Sequence, residues 1–420
     1  MKSNRLLILL LGILLLGVLV ACGDDDGDAD GAAGDGSVET SGDSETSASE
    51  EQETIKIGVL ASLTGGLEAY GQQTTRGFEL GLEYATDGTM EVAGKKIEVI
   101  TKDTETDPTV ARQAAISLLE DDEVDFLVGS SSSGDTLAVT PLAEEYEKIM
   151  IVEPAAADSI TGSEYNDFIF RTARNSAQDA AAAAAAIAGE GVKIATLAPD
   201  YSFGHDGAKA FIVAAEELGA EIVLEEYADQ NATDFTANIQ KVIEADPDYL
   251  FVVWAGANSP WGQISDMRLQ DQGIQISTGA PDIAALATMN DLIGMKGFTV
   301  YHHTLPDNEI NDWLVEEHTA RYDGAVPDLF TPGAMSAAIA IVEALNKTEG
   351  DADGNTLIGV MEGMSFDTPK GTMTFRAEDH QALQELYSIT LEESDEVDYP
   401  VPVLNRVLSP EETAPPISNQ

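Results

Sequence analysis

The chain has 420 residues, with 75 Asp and Glu against 21 Lys and Arg, which gives a formal net charge of −54. A surface this negative repels phosphate backbones and anionic lipid headgroups, so the composition excludes nucleic-acid binding through a basic face and electrostatic attachment to membranes. The hydrophobic fraction of 43% excludes a wholly disordered chain, and the single cysteine excludes an internal disulfide.

Residues 1–21 have the pattern of a secretory signal peptide. Lys2 and Arg5 form a positive start, and an uninterrupted apolar run follows over residues 6–20. This run is shorter than the about 20 residues that a membrane span needs, so a signal peptide fits it better. It ends in Leu-Val-Ala-Cys, which resembles the bacterial lipobox and predicts a lipid anchor on Cys22. The alternative is an ordinary signal peptide or anchor helix with a chance cysteine.

The segment after the predicted anchor is an acidic spacer. Residues 23–53 include 12 acidic side chains and no basic one. Because so little apolar surface is available to offset the entropy of ordering, residues 22–53 are predicted to form a disordered tether that begins at the lipidated cysteine. From Thr54 onward the balance is still −44, and such an acidic surface is one route to solubility in concentrated salt.

Short β-branched runs alternate with longer helical patterns from residue 54 onward. The predicted strands are Ile55–Leu60, Lys96–Thr101, Asp125–Gly129, Ile149–Val152, Lys193–Leu197, Glu221–Glu226, Tyr249–Val253 and Phe298–Tyr301. The predicted helices are Gln72–Tyr84, Pro108–Leu119, Thr136–Tyr146, Ala177–Ala188, Gly207–Leu218, Phe235–Ala245 and Trp261–Gln270. This alternation predicts an α/β protein with parallel sheets covered by helices, arranged as two doubly wound, Rossmann-like lobes.

The loops after the predicted strands are rich in small and hydroxyl side chains. In open parallel sheets, ligands bind beyond the carboxyl ends of the strands. These loops span residues 61–71, 129–134, 153–158, 199–204 and 254–258. Small residues leave backbone groups open to a ligand, and serines both donate and accept hydrogen bonds. The pattern favours a small ligand whose carboxylate is held by serines and by backbone N–H groups at helix N-termini.

These loops carry a resemblance to a known family. The motifs IKIGVLASLTG with EAYG, the serine loop, PAAA and DYSFG resemble the branched-chain amino acid ABC transporter substrate-binding proteins, of the type I periplasmic binding protein fold. The resemblance covers residues 54 to about 400. It implies one lobe from residues 54–172 plus 302–383 and a second from 173–301 plus 384–420, joined by three crossovers.

The resemblance also implies how such a protein works. A monomer closes around a small ligand, most simply a branched-chain or other amino acid, and the closed form docks on the transmembrane permease subunits of an ABC importer. The expected location is the periplasm or the outer face of the cytoplasmic membrane. Neither a cofactor nor a chemical step is expected, so the chain is not predicted to be an enzyme.

The resemblance implies, residue by residue, which parts of the chain supply the polar groups of the ligand site. The serine that holds the ligand carboxylate falls on Ser132 or Ser133, because a length difference in the loop leaves the register open. Backbone groups near Ala155 would meet the ammonium group, and Asp282 would neutralise it. The alternatives are that the serines only form a turn and that Asp282 only caps the next helix.

The same resemblance implies which aromatic side chains line the ligand site. Tyr70 falls on the aromatic position of the first loop, and Phe203 and Trp254 would line the side-chain pocket, although Trp254 could instead belong to the sheet core. The chain departs from the family pattern at two positions, and both departures weaken the match to an amino-acid ligand. Ala157 stands where the family usually has a hydroxyl side chain, and Phe203 stands where the family often has tyrosine. An amide, a urea-like compound or an aromatic acid therefore remains an alternative ligand.

The sequence patterns that would indicate an enzyme, a metal site or a nucleotide-binding site are weaker or missing. Residues 129–134 do not form the Gly-x-Ser-x-Gly turn of a hydrolase, and no HExxH or phosphate-binding P-loop occurs. The His302–His303 pair and the partly calcium-like run at 351–362 do not predict a metal site. A tethered sensor domain that presents its ligand to a receptor is the alternative from a different class.

Overall fold

The structure is a computed structural model that describes residues 53–256, 258–279 and 281–419. The predicted signal peptide, the predicted anchor at Cys22 and nearly all of the predicted tether lie outside the described residues. Within those ranges, no helix is both long and apolar enough to cross a membrane.

A six-stranded sheet forms the first part of the fold. Its strands run in the order β2-β3-β1-β4-β5-β6, all parallel except that β2 is antiparallel to β3. The central strands β4 and β5 are buried along their whole length, as expected for a sheet with helices on both faces. The elements are β1 (Thr54–Ala61), α1 (Glu68–Ala85), β2 (Glu91–Val92), β3 (Lys95–Asp103), α2 (Pro108–Glu120), β4 (Phe126–Gly129), α3 (Ser133–Glu145), β5 (Ile149–Val152) and β6 (Ile169–Arg171).

A four-stranded parallel sheet follows, with the order β10-β9-β7-β8. Apolar side chains of its strands and of the covering helices form two further buried clusters. The elements are α4 (Ser176–Ile187), β7 (Lys193–Pro199), α5 (Ser202–Glu217), β8 (Glu221–Ala228), α6 (Thr236–Ala245), β9 (Tyr249–Val252), α7 (Trp261–Asp266), β10 (Gln275–Thr278), α8 (Ile283–Leu286) and β11 (Lys296–Thr299).

The C-terminal part adds antiparallel pairs that the alternating pattern did not predict. Strands β12, β13 and β14 form one small sheet, and β11 pairs with β15, which pairs with β16. Helix α10 packs along α1, where a side chain on Gly77 would lie 2.0 Å from the carbonyl oxygen of Thr331. The elements are α9 (Glu309–Arg321), α10 (Thr331–Lys347), α11 (Gly354–Met361), β12 (Ser365–Thr368), β13 (Gly371–Phe375), β14 (Ala382–Leu383), β15 (Leu386–Glu392) and β16 (Val401–Leu408).

The prediction of parallel sheets is therefore correct for the two large sheets and wrong for the C-terminal strands. Several predicted elements also differ in their bounds by a few residues, and two of these differences have a local cause. The strand predicted at Phe298–Tyr301 lies at Lys296–Thr299, because the Thr299 hydroxyl bonds the backbone of Tyr301 and the chain leaves the sheet. The helix predicted at Trp261–Gln270 ends at Asp266, since Arg268 adopts φ +53°, a left-handed conformation that an α-helix cannot include.

After β6, after β11 and after β14 the chain passes between the part of the fold that contains the six-stranded sheet and the part that contains the four-stranded sheet. One buried cluster surrounds the six-stranded sheet together with α10, α11 and β12–β14, whereas the other two surround the four-stranded sheet and β11 and β15. The described residues nevertheless form one compact unit. The lobe boundaries given above therefore stay a prediction.

Candidate ligand-binding site

A cavity of about 90 Å³ lies between the carboxyl ends of the two large sheets. Its wall draws on the loops after β1, β4, β5, β7 and β9, which are the five loops in which the sequence predicts a site. Apolar surface dominates, because seven aromatic rings contribute to the wall. They are Tyr70, Tyr201, Phe203, Phe251, Trp254, Phe298 and Phe330.

The serine loop presents two hydroxyl groups to the cavity. Ser131 Oγ accepts a hydrogen bond from the Ser62 N–H at 3.1 Å, and Ser133 Oγ accepts one from the Ala157 N–H at 3.1 Å. Each hydroxyl keeps its own proton for donation. Ser132 lies off the wall, because its side chain caps α3 by accepting from the Asp135 N–H at 3.5 Å. Of the two predicted alternatives, the structure brings Ser133 to the cavity, and it adds Ser131.

The alanine loop, residues 153–158, contributes to both the cavity wall and the buried core. Ala155 lies on the wall, whereas Ala157 is fully buried behind it. The N–H of Ala157 is used by Ser133, and its carbonyl oxygen accepts from Nη1 of Arg171 at 2.7 Å. Ala157 therefore supports the shape of the loop and does not line the cavity.

The predicted aromatic residues all reach the wall. Tyr70 packs edge-on against Phe330 with ring centroids 4.7 Å apart, and burial raises the pKa of Tyr70 far above its usual value, so its hydroxyl group stays protonated. Trp254 packs edge-on against Phe235 at 5.0 Å, and its Nε1 donates to the carbonyl oxygen of Asn258 at 2.6 Å. Phe203 lies nearby on the same wall. The binding roles of all three stay predictions.

Asp282 is placed differently from the predicted site residues on the wall. Its carboxylate accepts from the Ala285 N–H at 2.9 Å and so caps the short helix α8, while Pro281 and Gly279 line the cavity beside it. The structure therefore shows the helix cap that was the alternative interpretation. Its predicted role as the partner of a ligand ammonium group stays a prediction.

Arg174 is the basic side chain of the cavity wall, and the sequence did not predict it. It follows β6, a strand of only three residues, which is too short for the alternating sequence pattern to reveal. Its guanidinium group contacts both oxygens of Asp179 at 3.2 Å, donates to the Pro154 carbonyl oxygen at 3.1 Å, and lies 5.4 Å from the Phe330 ring centroid. Because a guanidinium group has five N–H donors, these contacts leave N–H groups for a ligand.

A buried polar network holds the crossover that carries Arg174. The fully buried Arg171 donates from Nε to the side-chain oxygen of Gln381 at 2.6 Å, and Gln381 donates to the Ala173 carbonyl oxygen at 2.7 Å. Gln384 donates in the same way to the Thr172 carbonyl oxygen at 2.8 Å. Two crossovers are thus tied together next to the cavity, and this fixes the backbone on either side of Arg174.

The two charged side chains on the cavity wall form an ion pair that leaves N–H donors unused. Among the described residues of the wall, Arg174 is the one basic side chain and Asp179 the one acidic side chain. Burial raises the pKa of Asp179, although the ion pair with Arg174 opposes this rise. A carboxylate entering the cavity could accept from the N–H groups of Arg174 that Asp179 and Pro154 leave unused, while an ammonium group would compete with Arg174 for Asp179.

Comparisons with known proteins agree with the fold. Residues 54–396 match the family model described as periplasmic binding protein. A curated relative, the Leu/Ile/Val-binding protein homolog 6 of Brucella abortus, is 23% identical over 359 residues, covering 83% of this chain and 90% of the relative.

Two solved structures are similar over most of the chain. An ABC-type branched-chain amino acid transporter from Rhodopseudomonas palustris is 47% identical, with a TM-score of 0.77 over 87% of this chain and 100% of the other. A solute binding protein of an ABC transporter from the same species, in complex with 3,4-dihydroxybenzoic acid, is 29% identical, with a TM-score of 0.75 over 85% of this chain and 97% of the other.

Proposed function

The chain belongs to the periplasmic binding protein family, and on that premise we propose that it captures a small apolar carboxylate, most simply an aromatic acid, for an ABC importer. The ligand would be enclosed between the two sheets, and the closed protein would present it to the permease. Capture and release require no chemical step on the ligand.

The charge distribution on the cavity wall is the observation that carries this proposal. A carboxylate can accept charged hydrogen bonds from Arg174, and each such bond contributes roughly 1.5–3 kcal/mol. Hydroxyl groups of Ser131 and Ser133, which follow β4 of the same sheet, line the cavity as well and can also donate to the ligand. A ligand ammonium group would lose its water without gaining a free counter-charge, which is costly in a buried site.

The aromatic lining supports the second half of the proposal. Tyr70 and Phe330 within the wall pack edge to face, a geometry that also accommodates an aromatic ligand. The relative that is 29% identical was solved with a dihydroxybenzoic acid, which joins an aromatic ring to a carboxylate.

A branched-chain amino acid is the second candidate ligand. The descriptions of the Brucella relative and of the relative that is 47% identical favour it. In that case Asp282, beside the wall residue Pro281, would be the residue to neutralise the ammonium group.

Calorimetry with matched ligand pairs tests the proposal. The pairs 3-phenylpropanoate and phenylalanine, and 4-methylpentanoate and leucine, each differ only in the ammonium group. We expect each plain carboxylate to bind at least about 10-fold more tightly than its amino acid, since an unpaired ammonium group costs roughly 1.4 kcal/mol or more in the cavity.

The variant Asp282→Asn sharpens the same experiment. Asparagine can still cap α8, so the variant removes the charge and keeps the helix. Plain carboxylates should bind it as they bind the wild type. Tighter binding of leucine than of 4-methylpentanoate, lost in Asp282→Asn, would instead establish the amino-acid candidate.

The family implies an extracytoplasmic protein, and we propose that Cys22 anchors it to the membrane through a lipid. The pattern of residues 1–22 and the acidic residues after it support this proposal. Expression of Cys22→Ser in a bacterial host should release the protein from the membrane fraction, because the lipid would be its attachment. Full membrane retention of the variant after signal cleavage would contradict the lipid anchor.

A further inference from the structure

Two loops from opposite sheets meet at one edge of the cavity. Gly256, in the loop after β9, donates from its N–H to Tyr70 Oη at 3.5 Å. A side chain at position 256 would place its Cβ 2.9 Å from the Gly66 carbonyl oxygen and 3.3 Å from Leu67 Cδ2. Leu67 and Tyr70 are only 6% and 7% exposed, so this contact covers the loop after β1.

The contact is possible only with glycine at position 256. Gly256 has φ +96°, a conformation that side chains disfavour, and real Cβ atoms essentially never approach another heavy atom within 3.0 Å. The obstructing atom is a backbone carbonyl oxygen and not the end of a flexible side chain. Any side chain would therefore hold the two loops apart.

We propose that Gly256 is a positioning residue for ligand retention, because its bare backbone allows the loop after β9 to close on Gly66–Tyr70. Leu67, Tyr70, Trp254 and Ala255 line the cavity on either side of this contact, so separating the loops opens an exit for the ligand. The inference rests on the proposed function, since retention has meaning only for a protein that encloses a ligand.

The alternative is that Gly256 only forms a turn, since a turn with a positive φ also favours glycine. The chain offers a matched control for this alternative. Gly273 has φ +90°, and a Cβ there would meet nothing within 4 Å. Gly273→Ala therefore carries the backbone strain of Gly256→Ala without the contact across the cavity edge.

The test compares wild type, Gly256→Ala and Gly273→Ala by stopped-flow binding and small-angle X-ray scattering. The probe is whichever of 3-phenylpropanoate, 4-methylpentanoate, phenylalanine and leucine the wild type binds most tightly. We expect Gly256→Ala to release the probe at least about 10-fold faster with a nearly unchanged association rate, since loss of a closed-state contact acts on dissociation. Gly273→Ala should match the wild type in both rates.

Scattering without any ligand gives an independent readout. The loop contact involves protein atoms alone, so Gly256→Ala should have a larger radius of gyration than the wild type and Gly273→Ala. Equal effects of the two substitutions on dissociation and on scattering would overturn the role of Gly256. Failure of the wild type to bind any probe would count against the proposed ligands, and the scattering comparison would still decide the inference about Gly256.

Discussion

Arg174→Met is expected to weaken binding of 3-phenylpropanoate about 100-fold, because the ligand carboxylate loses charged hydrogen bonds worth roughly 1.5–3 kcal/mol each. Methionine keeps much of the apolar stem of the side chain and removes the guanidinium group. Isothermal titration calorimetry of wild type and variant measures the loss. Arg268→Met is the matched control, since the exposed Arg268 makes a surface ion pair with Asp271 away from the cavity.

Loss of Arg174 also leaves the largely covered Asp179 without its ion-pair partner, which is expected to lower the stability of the folded protein. The double variant Arg174→Met with Asp179→Asn removes that uncompensated charge. It should recover much of the lost stability and none of the lost affinity. Wild-type affinity in the double variant would show that Arg174 does not bind the ligand and would contradict its proposed role.

Asp135→Asn is expected to raise the free energy of unfolding at pH 8 by up to about 4 kcal/mol. Asp135 is fully buried in the first turn of α3. Burial raises the pKa of Asp135 to about 7, and the Thr104 and Ser132 hydroxyl groups only partly oppose that rise. Ionising this carboxyl group in the folded protein is therefore unfavourable.

The sign of the pH dependence follows from the two states. The unfolded chain loses this proton near pH 3.9, whereas the folded protein holds it until about pH 7. Stability therefore falls as pH rises from about 4 to about 7, and the full cost remains above pH 7. At pH 4 the carboxyl group is largely protonated in the folded protein, so Asp135→Asn should there have little effect.

Chemical denaturation of wild type and Asp135→Asn at pH 4 and pH 8 checks this expectation. Other buried acids, including Glu153 and Asp328, also titrate in this window, but their contribution cancels in the difference between the two proteins. The variant Glu98→Gln removes the same charge from an exposed position on β3 and should change little. A stability gain that is equal at both pH values would contradict the raised pKa of Asp135.

Much of the site could be predicted because parallel strands bring their carboxyl ends to one edge. Tyr70, Ser133, Ala155, Phe203 and Trp254 all belong to loops that follow predicted strands, and all reach the same cavity. Apolar runs such as β4 and β5 are local signals, so most strands of the two large sheets could be predicted from the sequence, whereas the short strands β2, β6 and β10 were not.

Competition between helix caps, core contacts and the cavity determines which polar groups of these loops face the cavity. Ser132 and Asp282 are used as helix caps, and Ala157 is turned into the core by its bonds to Ser133 and Arg171. A cap and a ligand contact need the same residue types in the same loops. The sequence pattern therefore could not separate them.

The charge of −54 and the hydrophobic pattern thus determined, from the sequence alone, an acidic α/β protein without a nucleic-acid surface and with its site in the loops after its strands. Only the tertiary structure placed Arg174 on the cavity wall, because its position depends on the three-residue strand β6 and on buried bonds to Gln381 and Gln384. Only it paired β11 with β15, about 90 residues further along the chain. Local patterns record short-range preferences, whereas these features arise from side chains and strands that meet only when distant segments pack together.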